Sequence, residues 1–177
     1  MGSVGPAAMD MCTFGNDDMC TGMPVGTAGN TQCQCGGFTM PNPPNAGLPN
    51  VAAYTDNGDG SVIDNITGLV WEKSPSATAC SGSGTCTQLQ AASYCAAKNA
   101  GWRLPTRLEL VSLIDFTIAP PGPTINQTFF PGTSSSEYYW TSTPYTPSPD
   151  TVWAVNFTNS YVGNLGTSSL GRVRCVH

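Results

Sequence analysis

Charged side chains are scarce in this sequence. Asp, Glu, Lys and Arg make up 10% of the 177 residues, well below the roughly 25% of a typical soluble domain. Only six residues are Lys or Arg, and the formal net charge is −5. Nucleic acids, anionic lipids and sulfated polysaccharides are bound by clustered basic side chains, so the composition argues against all three as partners. The surface must instead be built from Ser, Thr, Asn, Gly and Tyr, which is typical of extracellular proteins and of surfaces covered in an assembly.

Histidine is nearly absent, because His177 is the one histidine of the chain. Ser-His-Asp and Cys-His catalysis both need a histidine inside the fold. Three Glu and eight Asp are the only carboxylic side chains, and most fall in predicted turns or near the N-terminus, which argues against a pair of glycosidase carboxylates. We therefore expect a protein that is not an enzyme and uses no cofactor, apart from the calcium alternative described below.

The sequence also has no apolar run long enough to span a membrane, so no membrane span is expected. Cysteine, by contrast, occurs eight times. An even number of cysteines without an internal histidine favours disulfides over a zinc site of Cys and His ligands. Disulfides persist outside the reducing cytosol, which predicts an extracellular or cell-surface location.

Residues 1–50 carry four of the cysteines, many Gly and Pro, and no Lys or Arg. No helical or strand periodicity is present, which predicts an irregular N-terminal arm. Two disulfides would staple this arm, with Cys12 and Cys20 each bonded to Cys33 or Cys35, because a bond between Cys33 and Cys35 would be strained. A site of four thiolates for a metal ion is the alternative.

The domain predicted over residues 51–177 opens with strand-like runs and turn signals. The loop "DNGDG" is a strong hairpin signal, since Asn-Gly and Asp-Gly readily supply positive φ. The run "DNITG" makes a second turn before "LVWEK". Turn chemistry is the preferred interpretation of these polar residues, although their side chains could also ligate calcium with a spacing unlike that of an EF-hand loop. The calcium alternative concerns Asp56, Asn57, Asp59 and Asp64.

The next part of the sequence predicts a first helix. Before it, Cys80 and Cys86 enclose "SGSGT", a small loop that a disulfide would close. The run "TQLQAASYCAAKNA" follows. Its recurrence of Leu89, Ala92 and Cys95 at intervals of three predicts a helix with these residues on one face.

A second helix is predicted after "GWRLP". Thr106 and Glu109 form a Thr-x-x-Glu capping box that opens it. Leu110, Leu113 and Ile114 share its apolar face. The helix ends before "APPGP", which cannot continue it.

The last third of the chain predicts strands, in the runs "EYYWTST", "TVWAVNF", "SYVGNL" and "GRVRCVH". In the second run, Trp153, Val155 and Phe157 alternate onto one face. In the last run, Val173 and Cys175 point one way, and Arg172 and Arg174 point the other. Strands, two helices and then a group of strands indicate an α+β domain with a mainly antiparallel sheet.

Several motifs of this domain follow one another in an order that resembles a known family. They are "YTDNGDGSVIDNITGLVWEK", "YCAAKNAGWRLPTRLELVSLID", "YYWTSTP", "AVNF" and "RVRCV". In this order they resemble the bacterial domain family typified by the C-terminal domain of the Legionella collagen-like adhesin. The resemblance covers roughly residues 52 to 177, and several motifs in fixed order make it specific.

That family is similar to the C-type lectin-like fold, and "WRLPTRLEL" is similar to the "RLPT-x-x-E" run of the formylglycine-generating enzymes. The resemblance implies two helices flanking a twisted, mainly antiparallel sheet, and a disulfide from the first helix to the last strand, here Cys95–Cys175. The copper-binding cysteine pair of the formylglycine-generating enzymes has no clear counterpart in this chain. Neither the Glu-Pro-Asn nor the Gln-Pro-Asp loop of calcium-dependent sugar binding occurs.

Arg103 stands out because it lies between two large apolar residues in a chain with six basic side chains. In a lectin-like fold, we expect it to hydrogen-bond nearby carbonyl groups or a carboxylate such as Glu109 or Asp115. Arg103, Thr106 and Glu109 would then form a structural clamp. Contact of Arg103 with a ligand is the alternative.

The C-terminal third is rich in Tyr, Asn, Ser and Thr, a composition typical of adaptable binding surfaces. We predict an extracellular, non-enzymatic binding or adhesion module whose ligand is a glycan or protein on another surface. The alternative is a structural subunit that assembles with copies of itself into a filament or oligomer through the N-terminal arm. The candidate ligand-binding residues are Tyr138, Tyr145, Asn159, Tyr161 and Asn164.

Overall fold

The structure is a computed structural model, and it describes residues 38–44, 47–75, 79–82, 84–98 and 101–177. Within this part of the chain, the residues of Met40–His177 form one compact unit. The predictions for most of the N-terminal arm lie outside the described residues. One of these predictions is the pair of disulfides among Cys12, Cys20, Cys33 and Cys35, with a thiolate metal site as its alternative. The other is self-assembly through the N-terminal arm.

The described part of the chain is α+β, as predicted, with two antiparallel sheets of three strands each and three short helices. None of these helices has the length and apolarity that a membrane crossing requires, and the longest has nine residues. In chain order the elements are β1 (Tyr54–Asp56), β2 (Ser61–Asp64), β3 (Val70–Glu72), α1 (Ala79–Gly82), α2 (Gln88–Ala96), α3 (Arg107–Val111), β4 (Tyr138–Pro144), β5 (Thr151–Asn156) and β6 (Tyr161–Gly166).

The strands of the first sheet, β1-β2-β3, are joined by the two predicted turns, which set their antiparallel pairing. β1 and β2 pair antiparallel across the "DNGDG" loop, with Asp56 opposite Val62. Gly58 and Gly60 adopt φ values of 78° and 89°, a left-handed backbone that glycine adopts without strain. β3 returns after the "DNITG" turn and pairs with β2. Both predicted turns are therefore confirmed.

The C-terminal segment, residues 171–177, runs between the two sheets. Val176 forms a bridge with Trp71 of β3, and Arg172 pairs with Tyr139 of β4. The segment thus covers one edge of each sheet with backbone hydrogen bonds. The prediction of one sheet differs from the structure for this reason, because the last run of the chain joins two smaller sheets rather than extending one.

Both faces of the second sheet, β4-β5-β6, contribute side chains to the core. Val155 and Phe157 of one face enter a cluster shared with the first sheet and α3, whereas Val152 of the other face enters a cluster shared with α2. Successive strand residues point to opposite faces, so one strand can serve both clusters. The predicted apolar face is confirmed for Val155 and Phe157, but Trp153 is only partly buried.

The buried face of α2 differs from the prediction. Ala91 and Cys95 are fully buried, whereas Leu89 is 74% exposed. Cys95 is bonded to Cys175 of the C-terminal segment, and this bond sets which side of α2 faces inward. At about 100° of rotation per residue, Ala91 lies roughly 40° from Cys95 on the helix and Leu89 roughly 120°. A second disulfide, Cys80–Cys86, closes the short loop before α2.

α3 begins at the predicted capping box. The hydroxyl of Thr106 accepts a hydrogen bond from the amide of Glu109, and the carboxylate of Glu109 accepts one from the amide of Thr106. The helix is short, ending at Val111, but Leu113 and Ile114 beyond it are still buried in the cluster that α3 enters. The capping box and the apolar face are therefore confirmed, although the helix is shorter than the pattern predicts.

Arg174 is fully buried in the C-terminal segment. Its Nη1 donates hydrogen bonds to the carbonyl oxygens of Glu72 and Lys73 at 2.5 and 2.7 Å, and its Nη2 donates to Thr133 Oγ1 at 2.8 Å. The guanidinium carbon lies 5.1 Å from the centre of the Phe130 ring. Burial lowers the pKa of Arg174 to about 10, so the side chain stays charged at neutral pH and stabilises the contact between its segment and β3.

Candidate functional site

Arg103 and Glu109 form a two-pronged ion pair. Nη1 of Arg103 donates to Oε2 of Glu109 at 2.8 Å, and Nη2 donates to Oε1 at 2.7 Å. The same carboxylate accepts the amide of Thr106 at 2.7 Å, while the backbone of Arg103 pairs with Val176. These contacts hold the start of α3 against the C-terminal segment. Asp115, the other carboxylate considered for Arg103, accepts hydrogen bonds from Thr117 instead.

We expect the change Glu109→Gln to lower the free energy of unfolding by about 1–2 kcal/mol at pH 7, because the amide has one accepting oxygen where the carboxylate has two, so one hydrogen bond from Arg103 is lost and the other loses its negatively charged acceptor. Burial acts to raise the pKa of Glu109, but hydrogen bonds from Arg103 and Thr106 outweigh it and lower the pKa below its ordinary value. A lowered carboxyl pKa stabilises the fold above the unfolded value of about 4.3, and this stabilisation is lost as pH falls through the folded value.

Urea unfolding of the wild type and of the Glu109→Gln variant, at pH 7 and again at pH 3, measures this contribution. The difference in unfolding free energy should be largest at pH 7 and shrink at pH 3. An equal difference at both pH values would mean that the ion pair is not its source.

The four residues considered for calcium are not gathered in one place. Asp56, Asn57 and Asp59 lie at the β1–β2 turn, whereas Asp64 ends β2. Each of the three carboxylates accepts a backbone amide of its own turn. Hydrogen bonds from neighbouring side chains lower the pKa of Asp56 and of Asp59, and burial raises that of Asp64. Within the described residues, no three His, Cys, Asp or Glu side chains form a group that could hold a metal ion.

The candidate ligand-binding residues are divided between the two faces of the second sheet. β5 and β6 pair Trp153 with Asn164 and Asn156 with Tyr161. Directly opposed residues share a face, whereas residues 153 and 156 point to opposite faces. Asn164 therefore lies on the face of Trp153, and Tyr161 lies on the other face. Tyr138 is opposite Asn156 and shares the face of Tyr161.

Arg107, Tyr145 and Trp153 meet on the face that carries Asn164, and we call these three residues the aromatic cluster. The rings of Tyr145 and Trp153 are edge to face, with centroids 5.0 Å apart and an interplanar angle of 84°. The guanidinium carbon of Arg107 lies 4.5 Å from the centre of the Trp153 ring. All three side chains are partly buried and partly open to solvent. Edge-to-face and cation–π contacts of this kind are attractive and favour this arrangement of the three side chains.

A bulge in β4 brings α3 to the aromatic cluster. The register of β4 against β5 shifts within Trp140–Pro144. In the shifted stretch, the amide of Ser142 donates to the carbonyl of Pro105 at 2.8 Å, and the hydroxyl of Thr143 accepts the amide of Arg107 at 2.8 Å. β4 thereby fixes the first residue of α3, and with it the position of the Arg107 side chain over β5.

The loop between β4 and β5 holds Tyr145 in place. Its amide donates to the carbonyl of Thr151 at 3.0 Å, and its carbonyl accepts the amide of Ser148 at 2.9 Å. The amide of Thr151 donates in turn to the carbonyl of Ser148 at 3.1 Å. The backbone of Tyr145 is therefore held by hydrogen bonds to Ser148 of this loop and to Thr151 at the start of β5.

The opposite face carries the tyrosine pair, Tyr138 and Tyr161. Their ring centroids are 6.5 Å apart, and Tyr161 is 53% exposed. The Tyr161 ring lies across Gly163, where a Cβ atom would come within 2.5 Å of the ring. Asn159 is exposed in the β5–β6 turn. A ligand that covers a single face reaches either the aromatic cluster with Asn164 or the tyrosine pair.

Trp153 and Arg107 were not among the residues predicted for the site. Alternation with Val155 and Phe157 assigns Trp153 to the core, yet its ring is covered by Arg107 and Tyr145 rather than by the buried cluster. For Arg107, the one feature of the sequence that could have drawn attention to it is that the chain has only six basic residues. The sequence pattern does not show that its guanidinium stacks on a ring of a distant strand.

The part of the chain that matches a known family contains nearly all of this architecture. Residues 60–177 match the family described as the Lcl C-terminal domain, and the match takes in both sheets from β2 onward, all three described helices and the aromatic cluster. No curated protein matches the chain. The motif resemblance to the C-terminal domain of the Legionella collagen-like adhesin is thus confirmed, and the chain belongs to the Lcl C-terminal domain family.

Proposed function

We propose that this domain is an extracellular adhesion module that binds a glycan or protein on another surface, without catalysing a reaction, and that the aromatic cluster is its main contact. The observation that carries this proposal is the arrangement of Arg107, Tyr145 and Trp153. Two rings and a guanidinium are packed against one another at the second sheet and are still partly open to solvent.

Such an arrangement suits binding for energetic reasons. Tyr, Trp and Arg are the residue types that contribute most at binding surfaces, because they cover a large area and lose little freedom when they are already ordered. The rings offer flat apolar surface, the guanidinium adds positive charge beside them, and Asn164 on the same face offers both donors and an acceptor. Together they fit a ligand with an apolar face and polar edges, such as a sugar ring.

The fold that we propose for this module is C-type lectin-like. Two features of the structure support it. One is the disulfide that ties α2 to the C-terminal segment, and the other is the ion pair of Arg103 and Glu109 at the start of α3, within the "RLPT-x-x-E" run. Disulfides and the adhesin-associated family also support a secreted or surface location.

A non-enzymatic role is supported by the contacts of the acidic side chains, which are engaged in ion pairs and turns. Glu72, Glu109 and Glu137 form ion pairs with Lys98, Arg103 and Arg172, and the carboxylates of the first sheet accept amides of their own turns. We likewise propose that binding needs no calcium, since the carboxylates considered for it already serve these turns. Binding that persists in a chelator would support this point, and binding abolished by the chelator would overturn it.

The test of the proposed site measures binding of labelled protein to an array of neutral and acidic glycans and to intact cells with and without removal of surface glycans. We expect the changes Trp153→Ala and Arg107→Gln each to weaken binding by roughly tenfold or more. Loss of cell binding after glycan removal would identify a glycan ligand, and retention would identify a protein.

The matched control lies on the opposite face of the same sheet. Tyr161→Ala removes a more exposed aromatic ring from the tyrosine pair and should leave binding within about twofold. Thermal unfolding of each variant shows whether the fold is intact. If Tyr161→Ala weakens binding as much as Trp153→Ala, or if Trp153→Ala binds like the wild type, the aromatic cluster is not the contact.

A further inference from the structure

We infer that β6 is a self-association edge, along which the β6 strands of two copies of this chain pair antiparallel and join their sheets. This inference goes beyond the proposed function and needs no ligand. It starts from the backbone. β6 pairs with β5 over all six of its residues, without a register shift. Within the described residues, β6 makes one backbone hydrogen bond besides those to β5, in which the carbonyl of Gly166 at its end accepts the amide of Ser169 at 2.9 Å, and the edge before Gly166 is open.

The other long strand edges are covered. The C-terminal segment hydrogen-bonds to β3 through Val70 and Glu72, and to β4 through Tyr138 and Trp140. β1 leaves an edge of three residues, which ends in the charged Asp56. Native proteins usually protect an open edge with charge, proline, a bulge or short length. β6, with the sequence YVGNLG, has six residues and none of the other three devices.

A second copy of this chain is the partner that the charge pattern favours. A two-fold interface places the same surface of both copies together, so a surface with an excess of one charge sign repels itself, whereas an uncharged surface does not. The chain carries a net charge of −5, yet residues 151–171 contain no Asp, Glu, Lys, Arg or His. This uncharged stretch contains β5, β6 and the turn that follows, and it exposes the apolar side chains of Tyr161 and Leu170.

The geometry of such a pair is fixed by symmetry. Two copies of one edge strand pair antiparallel about a two-fold axis perpendicular to the sheet, which keeps each face on its own side. The axis then passes near Gly163 or Asn164, the middle of β6. Asn164 of each copy comes directly opposite the other or one diagonal step away, at about 5–8 Å. Because few residues pair, the dimer should be weak and depend on concentration.

Charge placed at Asn164 tests the pairing. Sedimentation of the full, disulfide-bonded chain over a wide concentration range should show reversible dimerisation of the wild type. Asn164→Lys and Asn164→Asp should each raise the dimer dissociation constant by roughly tenfold or more, because like charges then face each other across the axis. An equal mixture of the two variants should form a heterodimer at wild-type concentrations, as seen by native mass spectrometry.

Asn159→Lys is the matched control, since it introduces the same charge at an exposed Asn just outside β6, and it should dimerise like the wild type. Formation of the heterodimer would exclude misfolding as the reason why each variant alone does not dimerise, because unfolded variants would not restore pairing. The inference is overturned if the wild type stays monomeric, if either Asn164 variant dimerises like the wild type, if the mixture does not pair, or if Asn159→Lys abolishes pairing equally.

Discussion

Replacing Arg174 by alanine should lower the free energy of unfolding by about 3–5 kcal/mol. The side chain is fully buried, and its removal leaves a cavity next to Phe130. It also leaves two backbone carbonyls, of Glu72 and Lys73, and the hydroxyl of Thr133 without their donor. Chemical denaturation at neutral pH measures the effect.

Arg172→Ala provides the matched control, two residues away in the same segment. Arg172 pairs with Glu137 near the surface, and exposed ion pairs contribute about 1 kcal/mol or less. Arg174→Met separates the two causes at the buried site, because methionine fills much of the space but donates no hydrogen bond. If Arg174→Met is as stable as the wild type, the unsatisfied carbonyls are not what makes Arg174→Ala costly.

The second large effect concerns the disulfide between α2 and the C-terminal segment. Changing Cys95 and Cys175 together to alanine should lower the free energy of unfolding by about 4 kcal/mol. The bond joins positions 80 residues apart, so it removes many conformations from the unfolded chain. Both cysteines are also fully buried, and the variant loses the link that orients α2.

The other disulfide gives an internal comparison. Cys80 and Cys86 are separated by six positions, and on the same chain-entropy argument their replacement by alanine should cost about 2 kcal/mol. Urea unfolding of the two double variants under non-reducing conditions tests the difference. Equal losses would show that loop length does not determine the stabilisation in this domain.

Local features of this fold could be predicted from the sequence, because the atoms that stabilise them are close in the chain. The capping box of Thr106 and Glu109 needs residues three apart, and the hairpin turn needs positive φ at Gly58 and Gly60. In both cases the residue types at these positions meet the structural requirement without help from distant residues, so the local sequence pattern is sufficient to predict the feature.

Features that depend on distant parts of the chain were missed. The division into two sheets comes from where the C-terminal segment runs, and the burial of Arg174 follows from the same path. Leu89 is exposed because the disulfide of Cys95 sets the rotation of α2. Trp153 joins the aromatic cluster because a bulge in β4 places Arg107 over it. None of these contacts has a local sequence signature.

The central position of residues 171–177 has a consequence for biosynthesis. A growing chain contains β1 to β6 before it contains the segment that closes an edge of each sheet and supplies the partners of Cys95 and of the Glu72 and Lys73 carbonyls. Until that segment is made, neither buried cluster is complete. We therefore expect the domain to complete its two clusters, and to form the Cys95–Cys175 bond, only after residues 171–177 have been synthesised.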